Sequence, residues 1–415
     1  MIVVSVASGT SADGLDVGVV DLDWSSEGCL GLSVLDAWTV DWPTGLEDRL
    51  LALLPPATTT AAELCAIDTD VGRALATAAA DAVGRSHSLT AAEPELVVSP
   101  GQTVHHEVRD GVCKGTLQLG QPAWIVEETG LPVVSDLRAR DVSAGGHGAP
   151  LVSRFDEMWL GAGDVPRAAL NLGGIANVTV LRPDQPLLAW DTGPANCLLD
   201  VAADRASGGA WRYDRGGAIA ARGRVHPGLL ARLLAHPHFS ATPPVSTGRE
   251  TFSAALLDAM LDATGPVSWD DVLATLTELT ARTVAQALAP FSLIEVVASG
   301  GGVANTTLME ALARCLGSTR LLTSDELGIP AEAKEAVMWT VLGFLTWHGV
   351  PGSTVATGAP VARVLGRISP GDQPLQMPSP VASWPVALRV SERSVRREAL
   401  SPPSEGRLPR VPPGS

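Results

Sequence analysis

Two glycine-containing turns, each between apolar runs, constrain the fold of this chain more than any other feature. The first spans residues 8–14 near the N-terminus, and the second spans residues 171–177 near the middle. A short polar turn with glycine between two β-branched runs predicts a β-hairpin. Each hairpin is followed by alternating strand and helix patterns, although the two halves share no sequence repeat. The pattern therefore predicts two similarly built α/β halves.

Length and charge limit the class of protein. A chain of 415 residues with 46% apolar residues fits two folded domains and excludes a wholly disordered protein. The net charge of −16 argues against a nucleic-acid or anionic-membrane binder. The N-terminal run has no basic segment before it, and no apolar run reaches the roughly 20 residues that span a bilayer. We expect a soluble, cytoplasmic protein.

The cysteines argue against a disulfide framework and against a zinc site. They are odd in number, widely scattered and form no CxxC pair: Cys29, Cys65, Cys113, Cys197 and Cys315. Such a distribution is typical of reduced thiols in the cytosol.

The first turn has the composition of a phosphate-binding loop. Its small residues and amides suit the approach of a polyphosphate, and they run in the order Gly9, Thr10, Ser11, Ala12, Asp13, Gly14. Asp13 or Asp16 offers carboxylate oxygens of the kind that Mg²⁺ prefers. An ordinary hairpin turn favours the same residue types, so both explanations stay open here.

Two later glycine clusters resemble the first turn in their small residues. Gly173 and Gly174 lie in the second hairpin turn, and a run at 300–302 separates a strand from a helix. Nucleotides approach the backbone at such strand-to-helix turns, and ordering three glycines is costly. Val303 and Asn305 break the GxGxxG dinucleotide pattern. A tight packing turn is the alternative explanation for the triple glycine.

Asp191 is the candidate general base. It ends the apolar strand at 187–190 and is followed by Thr192, Gly193 and Pro194. A carboxylate in that place emerges at the carboxyl edge of a sheet, where α/β active sites assemble. The alternative is a carboxylate that caps a helix or an Asx-turn.

Several catalytic motifs are absent from the sequence. It contains no GxxxxGK[ST] P-loop, no HRD or DFG pair, no HExxH and no GxSxG. Any bound phosphate must therefore be neutralised by Mg²⁺, arginine and backbone amides.

Taken together, the motifs resemble one family, the anhydro-N-acetylmuramic acid kinases of the sugar kinase, chaperone and actin ATPase superfamily. Pro100, His147 and Ala195 stand where that family usually has His, Gln and Gly. The matching segments follow the family's order over roughly residues 1–370: 8–16, 101–104, 115–120, 141–151, 171–177, 191–196, 246–250, 274–277, 300–302 and 357–359.

The resemblance implies a fold of two actin-like (RNase H-like) α/β domains with mixed central sheets around an ATP cleft. The first domain is expected at 1–140, with 355–370 returning to it, and the second at 141–354. The proline-rich segment 371–415 lacks apolar periodicity and is predicted to be a disordered tail.

The resemblance also implies the reaction and its residues. The expected reaction opens 1,6-anhydro-N-acetylmuramic acid hydrolytically and phosphorylates O6 from ATP with Mg²⁺, in murein recycling. Asp191 is the expected base, and Glu335 is expected to orient the sugar or the water, unless it is a surface acid beside Lys334. A homodimer is compatible with this reading, and no nucleic acid or membrane partner is expected.

The remaining residues fall into three expected sets. The cofactor-binding set holds the nucleotide: Gly9, Thr10, Ser11, Ala12, Asp13, Gly14, Leu15, Asp16, Gly173, Gly174, Gly300, Gly301, Gly302 and Asn305. The substrate-binding set holds the sugar: Asn171, Thr192, Gly193, Asn196, Gln102 and Thr103. The metal set is Asp13 alone.

Two other classes of function remain open from the sequence. One is another amino-sugar kinase of the same fold, which would phosphorylate a hydroxyl that already exists. The other is a non-kinase ATPase of the superfamily, either chaperone-like or an activator. Activators of that kind hold an iron–sulfur cluster with cysteines, which the scattered cysteines here disfavour.

Overall fold

The computed structural model describes residues 1–9, 14–24, 28–54, 57–109, 111–161, 163–241, 245, 247–248, 251–379 and 383–391. The strands in this part of the chain are β1 Ile2–Ser8, β2 Leu15–Trp24, β3 Cys29–Val40, β4 Pro94–Arg109, β5 Val112–Leu119, β6 Val133–Ser135, β7 Arg167–Leu172, β8 Ile175–Leu181, β9 Leu188–Pro194, β10 Glu295–Ser299, β11 Arg320–Thr323, β12 Arg367–Ser369 and β13 Ala387–Val390. The α-helices are α1 Leu46–Leu53, α2 Ala61–Leu89, α3 Pro122–Thr129, α4 Ala139–Ser143, α5 Val152–Leu160, α6 Asn196–Ala206, α7 Pro227–Leu234, α8 Ala254–Thr264, α9 Trp269–Leu288, α10 Thr306–Leu316 and α11 Lys334–Trp347.

Local sequence signals account for the starts of two long helices, α2 and α9. The Thr60 hydroxyl accepts a hydrogen bond from the Glu63 amide at the start of α2. Ser268 caps α9 in the same way, and two acidic residues follow in its first turn. Such caps satisfy amides that have no partner within the helix, and acidic residues there suit the helix dipole.

The two sheets repeat one arrangement of strands. In the first, β1, β2 and β3 form an antiparallel meander, and β4 and β6 add in parallel beside β1. In the second, β7, β8 and β9 form the meander, and β10 and β11 add in parallel beside β7. Both predicted hairpins are therefore confirmed, and so is the prediction of two α/β units with mixed central sheets.

A shared hydrophobic core joins the two sheets. It takes Val3 and Val20 from the first sheet, Ala169 and Val297 from the second, and residues of α5 and α11 between them. The opposite face of the first sheet packs on α1, α2 and α3, and the opposite face of the second packs on α9 and α10. Each sheet thus has one face directed toward the other sheet.

Helix α11 has its main packing contacts on the first sheet. The sequence assigned residues 334–347 to the second domain, but the helix packs against β1, β2 and β4 of the first sheet. It is apolar nearly all round, so its sequence alone does not distinguish the two sheets. Strand β12, from the segment predicted to return to the first domain, pairs with β6 of the first sheet.

Part of the segment after residue 370 forms a strand. Strand β13 pairs in parallel with β3, and Leu388 is buried in the shared core. The Val386 amide donates to Gly28 and the Ser391 amide donates to Leu32. Within the predicted tail, a partner strand therefore stabilises residues 383–391. Residues 392–415 lie outside the described part of the chain.

Within the described ranges, no helix combines the length and the apolar character needed to cross a membrane.

Candidate active site

A row of polar side chains crosses the second sheet. Asn171 on β7 lies opposite Asn177 on β8, which in turn lies opposite Asp191 on β9. Residues opposite each other on antiparallel strands lie on one face of a sheet. Ala169 and Leu181 share this face and belong to the core between the sheets. The row Asn171–Asn177–Asp191 therefore faces the first sheet.

Asp16 occupies the corresponding face of the first sheet. It alternates with Gly18 and Val20 on β2, and Val20 belongs to the shared core. Its carboxylate accepts a hydrogen bond of 2.9 Å from the Thr39 hydroxyl. Asp16 and the polar row thus lie on the two faces that are directed toward each other.

The predicted phosphate turn is described only at its two ends. The Gln102 side-chain amide donates to the Gly9 carbonyl at 3.1 Å, so that β4 supports the start of the turn. Gly14 lies against Thr39, and Leu15 is buried. The predicted residues Thr10, Ser11, Ala12 and Asp13 lie outside the described residues.

Residues that follow α7 form hydrogen bonds with Asp191. The Thr247 amide donates to Asp191 Oδ2 at 2.8 Å, and the Asp191 amide donates to the Val245 carbonyl at 3.0 Å. The imidazole Nε2 of His238 lies 3.0 Å from the Asp191 carbonyl oxygen. Both the backbone and the carboxylate of Asp191 therefore have defined partners.

The three glycines at 300–302 differ in the space around them. A Cβ on Gly300 would lie 2.6 Å from Asn171 Oδ1, and a Cβ on Gly302 would lie 2.6 Å from Leu172 Cβ. Both glycines therefore permit close packing against the end of β7. Gly301 differs, because no described atom lies within 4 Å of its Cβ position. The packing explanation holds for two of the three glycines, and Gly301 faces open space.

The second hairpin turn is joined to the start of α6. The carbonyls of Gly173 and Gly174 accept from the Asn196 and Ala195 amides at 3.0 Å. The Asn196 side-chain amide donates to the Leu172 carbonyl. Asn171, the two turn glycines, Asn196 and the 300–302 turn are thus brought together, and their contact with nucleotide or sugar stays a prediction.

Several predicted binding residues have structural partners. The Thr192 hydroxyl donates to the Ala176 carbonyl, and the Asn305 side chain caps α10 by accepting from the Leu308 amide. Gly193, with φ of 139°, lies against the Phe239 ring, which a Cβ would meet at 2.6 Å. Thr103 accepts from Gln118. These contacts position the residues and leave their predicted binding roles as predictions.

The cation near Glu335, Arg138, was not predicted from the sequence. The guanidinium of Arg138 lies 5.3 Å from the Trp339 ring, and one nitrogen donates to the Gly148 carbonyl. Burial lowers the pKa of Arg138, while the charge of Glu335 opposes that shift. Burial and the nearby Arg138 lower the pKa of His106 to about 4, so His106 is neutral at pH 7.

A second element that was not predicted contacts the start of α10. The Thr306 and Thr307 hydroxyls donate to the carbonyls of Gly216 and Gly217. The Asp214 carboxylate accepts from the Ile219 and Ala220 amides and fixes that loop. The Asp-Arg-Gly-Gly run at 214–217 is the sequence signal that identifies this loop as an ordered turn.

Comparison with known proteins decides the family. The model of the family described as anhydro-N-acetylmuramic acid kinase matches residues 1–371. The chain belongs to this family. The predicted resemblance is confirmed.

Curated relatives of the family match along nearly their whole length. The anhydro-N-acetylmuramic acid kinase of Streptomyces avermitilis is 50% identical over 390 residues, which are 94% of this chain and 99% of that protein. Those of Streptomyces coelicolor and Rhodococcus erythropolis are 48% and 45% identical, again over 94% of this chain and 99% of each relative.

Solved structures similar to this chain are more distant. The activator of the 2-hydroxyisocaproyl-CoA dehydratase from Clostridium difficile has a TM-score of 0.40 and 15% identity, over 83% of this chain and 94% of its own. A ROK family glucokinase from Streptomyces griseus has a TM-score of 0.36 and 14% identity, over 83% of this chain and 99% of its own.

Proposed function

We propose that this chain is a kinase that opens 1,6-anhydro-N-acetylmuramic acid and phosphorylates it from ATP. The products are N-acetylmuramic acid 6-phosphate and ADP, and the reaction serves the recycling of murein. The proposal rests on the position of Asp191. This residue lies on the face directed toward the first sheet, and its carboxylate accepts a hydrogen bond from the Thr247 amide.

The bond changes explain why the reaction needs a base. In the anhydro-sugar O6 is bonded to C1, so no free 6-hydroxyl exists. Water adds at C1, the C1–O6 bond breaks, and O6 bonds to the γ-phosphorus while the bond from that phosphorus to the bridging oxygen of ADP breaks. Asp191 takes the proton from the attacking water, which is the work of a carboxylate within hydrogen-bond reach.

Residues around Asp191 support this role. Asn177 and Asn171 continue the polar row beside it and offer amide groups to the sugar or the phosphates. Glu335 lies close enough to Arg138 to affect its pKa, and the pair adds one acid and one cation to the site. We assign Glu335 to orienting the sugar or the water. The Arg138 guanidinium suits an acidic sugar, because guanidinium groups bind carboxylates well.

Magnesium is expected to enter with the nucleotide. Among the described residues, no group of three His, Cys, Asp or Glu side chains could hold a metal ion. Magnesium in kinases is bound by one or two carboxylates together with phosphates and water, and there it neutralises charge on the transferring phosphoryl group. Asp16 is the described carboxylate next to the phosphate turn, whereas Asp13 lies outside the described residues.

Substitution of the base tests the proposal. We expect Asp191→Asn to lower turnover by at least about 10³-fold, because an amide cannot accept the proton of water. Binding of ATP and the melting temperature should stay close to those of the unsubstituted protein. Asp204→Asn, on the exposed side of α6, is the matched control and should retain full turnover. Near-normal turnover of Asp191→Asn would refute the assignment.

Labelled water separates this reaction from the alternatives. In ¹⁸O-water the coupled reaction places label at C1 of the product and none in the transferred phosphate. An amino-sugar kinase that uses an existing hydroxyl places no label at C1 during the chemical step. Label in inorganic phosphate instead would indicate ATP hydrolysis by a non-kinase ATPase. Because the anomeric oxygen exchanges slowly with solvent, the product is analysed within the first turnovers.

The proposed location is the cytoplasm, and the proposed assembly is a homodimer. A supply of ATP favours the cytoplasm, and the homodimer stays a prediction that light scattering of the purified protein would check.

A further inference from the structure

His238 and Val245, which both follow α7 in the chain, hydrogen-bond to the backbone of Asp191. The Val245 carbonyl accepts from the Asp191 amide, and His238 Nε2 lies 3.0 Å from the Asp191 carbonyl. A carbonyl oxygen only accepts hydrogen bonds, so Nε2 of His238 carries the proton and donates it. Peptide groups on both sides of the Asp191 Cα are therefore fixed by His238 and Val245.

Aromatic rings pack around His238. The imidazole packs edge-on against Phe239 and Phe252, at centroid distances of 5.7 Å and 5.6 Å. Phe239 and Phe252 stack on each other, and Phe239 also lies against Gly193, two residues after Asp191. The His236 ring accepts from the His238 amide and caps this turn. Burial lowers the pKa of His238, although the hydrogen bond to Asp191 opposes that shift.

We propose that His238 is a positioning residue that sets the direction of the Asp191 carboxylate. Its bond to the Asp191 carbonyl fixes the peptide plane that follows Asp191, while the Val245 carbonyl fixes the plane that precedes it. With both planes fixed, the Cα–Cβ bond has one direction, and the Thr247 amide selects the carboxylate orientation. This inference rests on the proposed function, because it concerns Asp191 as the base.

Three variants separate positioning from packing. His238→Phe keeps an aromatic ring beside Phe239 and Phe252 but removes the donor, whereas His238→Gln keeps an N–H donor. Ser240→Ala, at an exposed position of the same turn, removes the bond from the Ser240 hydroxyl to the Pro237 carbonyl and serves as the control. The measurements are kcat, KM for the sugar, KM for ATP and the melting temperature.

We expect His238→Phe to lower kcat by about 10- to 100-fold, since a base displaced by about 1 Å costs up to about 10²-fold. Both KM values should change by less than about twofold, because substrate binding does not depend on the base. His238→Gln should recover most of the loss, and Ser240→Ala should retain full kcat. If His238→Phe does not fold, His238→Met replaces it in the same comparison.

A double variant gives the decisive test. In the Asp191→Asn background, His238→Phe should cause no further fall in kcat, because the group that it positions has already lost its basicity. The same fold-loss in both backgrounds would overturn the proposal, as would a His238→Phe variant with full kcat. Retention of activity by Asp191→Asn alone is a separate result, which contradicts the proposed function itself.

Discussion

Gly301 and Gly300 are neighbours with opposite surroundings, and substituting each tests what the glycine turn does. Gly300 has φ of 84° and ψ of 169°, a conformation that only glycine adopts readily. A Cβ there would also lie 2.6 Å from Asn171 Oδ1 and 2.9 Å from the Leu172 carbonyl oxygen. Gly301 has no described atom within 4 Å of its Cβ position, so a side chain there enters open space.

The expected changes in the free energy of unfolding follow from these surroundings. For Gly300→Ala, backbone strain costs about 1–3 kcal/mol and the close contacts cost about 1–3 kcal/mol more. We therefore expect the free energy of unfolding to fall by about 2–5 kcal/mol. For Gly301→Val we expect a change within about 1 kcal/mol, since no contact is strained and the unfolded chain loses some freedom.

The effect of Gly301→Val is expected in nucleotide binding. If the open space at Gly301 receives ATP, a valine overlaps the nucleotide, and overpacking of about 1–3 kcal/mol corresponds to a rise in KM of about 5- to 150-fold. Chemical denaturation measures stability, and an ATP titration at saturating sugar measures KM. Gly84→Val, at an exposed position with no described atom within 4 Å of its Cβ, is the control. An unchanged KM for ATP in Gly301→Val would show that the turn serves packing alone.

Two further predictions concern stability. Leu388→Ala on β13 should lower the free energy of unfolding by about 2–4 kcal/mol, because Leu388 is buried in the core between the sheets, and chemical denaturation would measure this; an unchanged unfolding curve would mean that β13 does not stabilise the fold. The free energy of unfolding should fall as pH is lowered from 6.5 toward 4, because unfolded His106 binds a proton near pH 6.5 whereas folded His106 does so only near 4. In this range His106→Asn should show a shallower slope of unfolding free energy against pH, and an unaltered slope would contradict the low pKa.

Local sequence signals predicted the elements whose partners lie nearby in the chain. Both hairpins were predicted because their turn residues and apolar runs are adjacent in sequence. The pairing of β13 with β3 was not predicted, since the Ser391 and Leu32 that bond there are 359 positions apart. Helix α11 was predicted as a helix, but its packing on the first sheet was not predicted, because an apolar pattern on every side does not indicate a packing direction.

Some residues of the candidate site were likewise predictable from local sequence, and others were not. Asp191 was predicted because a carboxylate at a strand end is a local signal. Asn177 becomes a site residue only through the strand register, which places it between Asn171 and Asp191. His238 acts on a main-chain carbonyl 47 positions away, and a contact of that kind leaves no side-chain pattern to detect.

The segment 331–336 joins the two halves of the candidate site. The Gly300 amide donates to the Ala331 carbonyl at 2.8 Å, which links the segment to the glycine turn of the second sheet. The Ser5 hydroxyl donates to the Ala336 carbonyl at 2.9 Å, and this bond links it to β1, which leads into the predicted phosphate turn. Glu335 lies between these two anchors. Its position is therefore set by both sheets at once, so a change in how the sheets face each other alters the geometry of Glu335 together with that of the nucleotide turns.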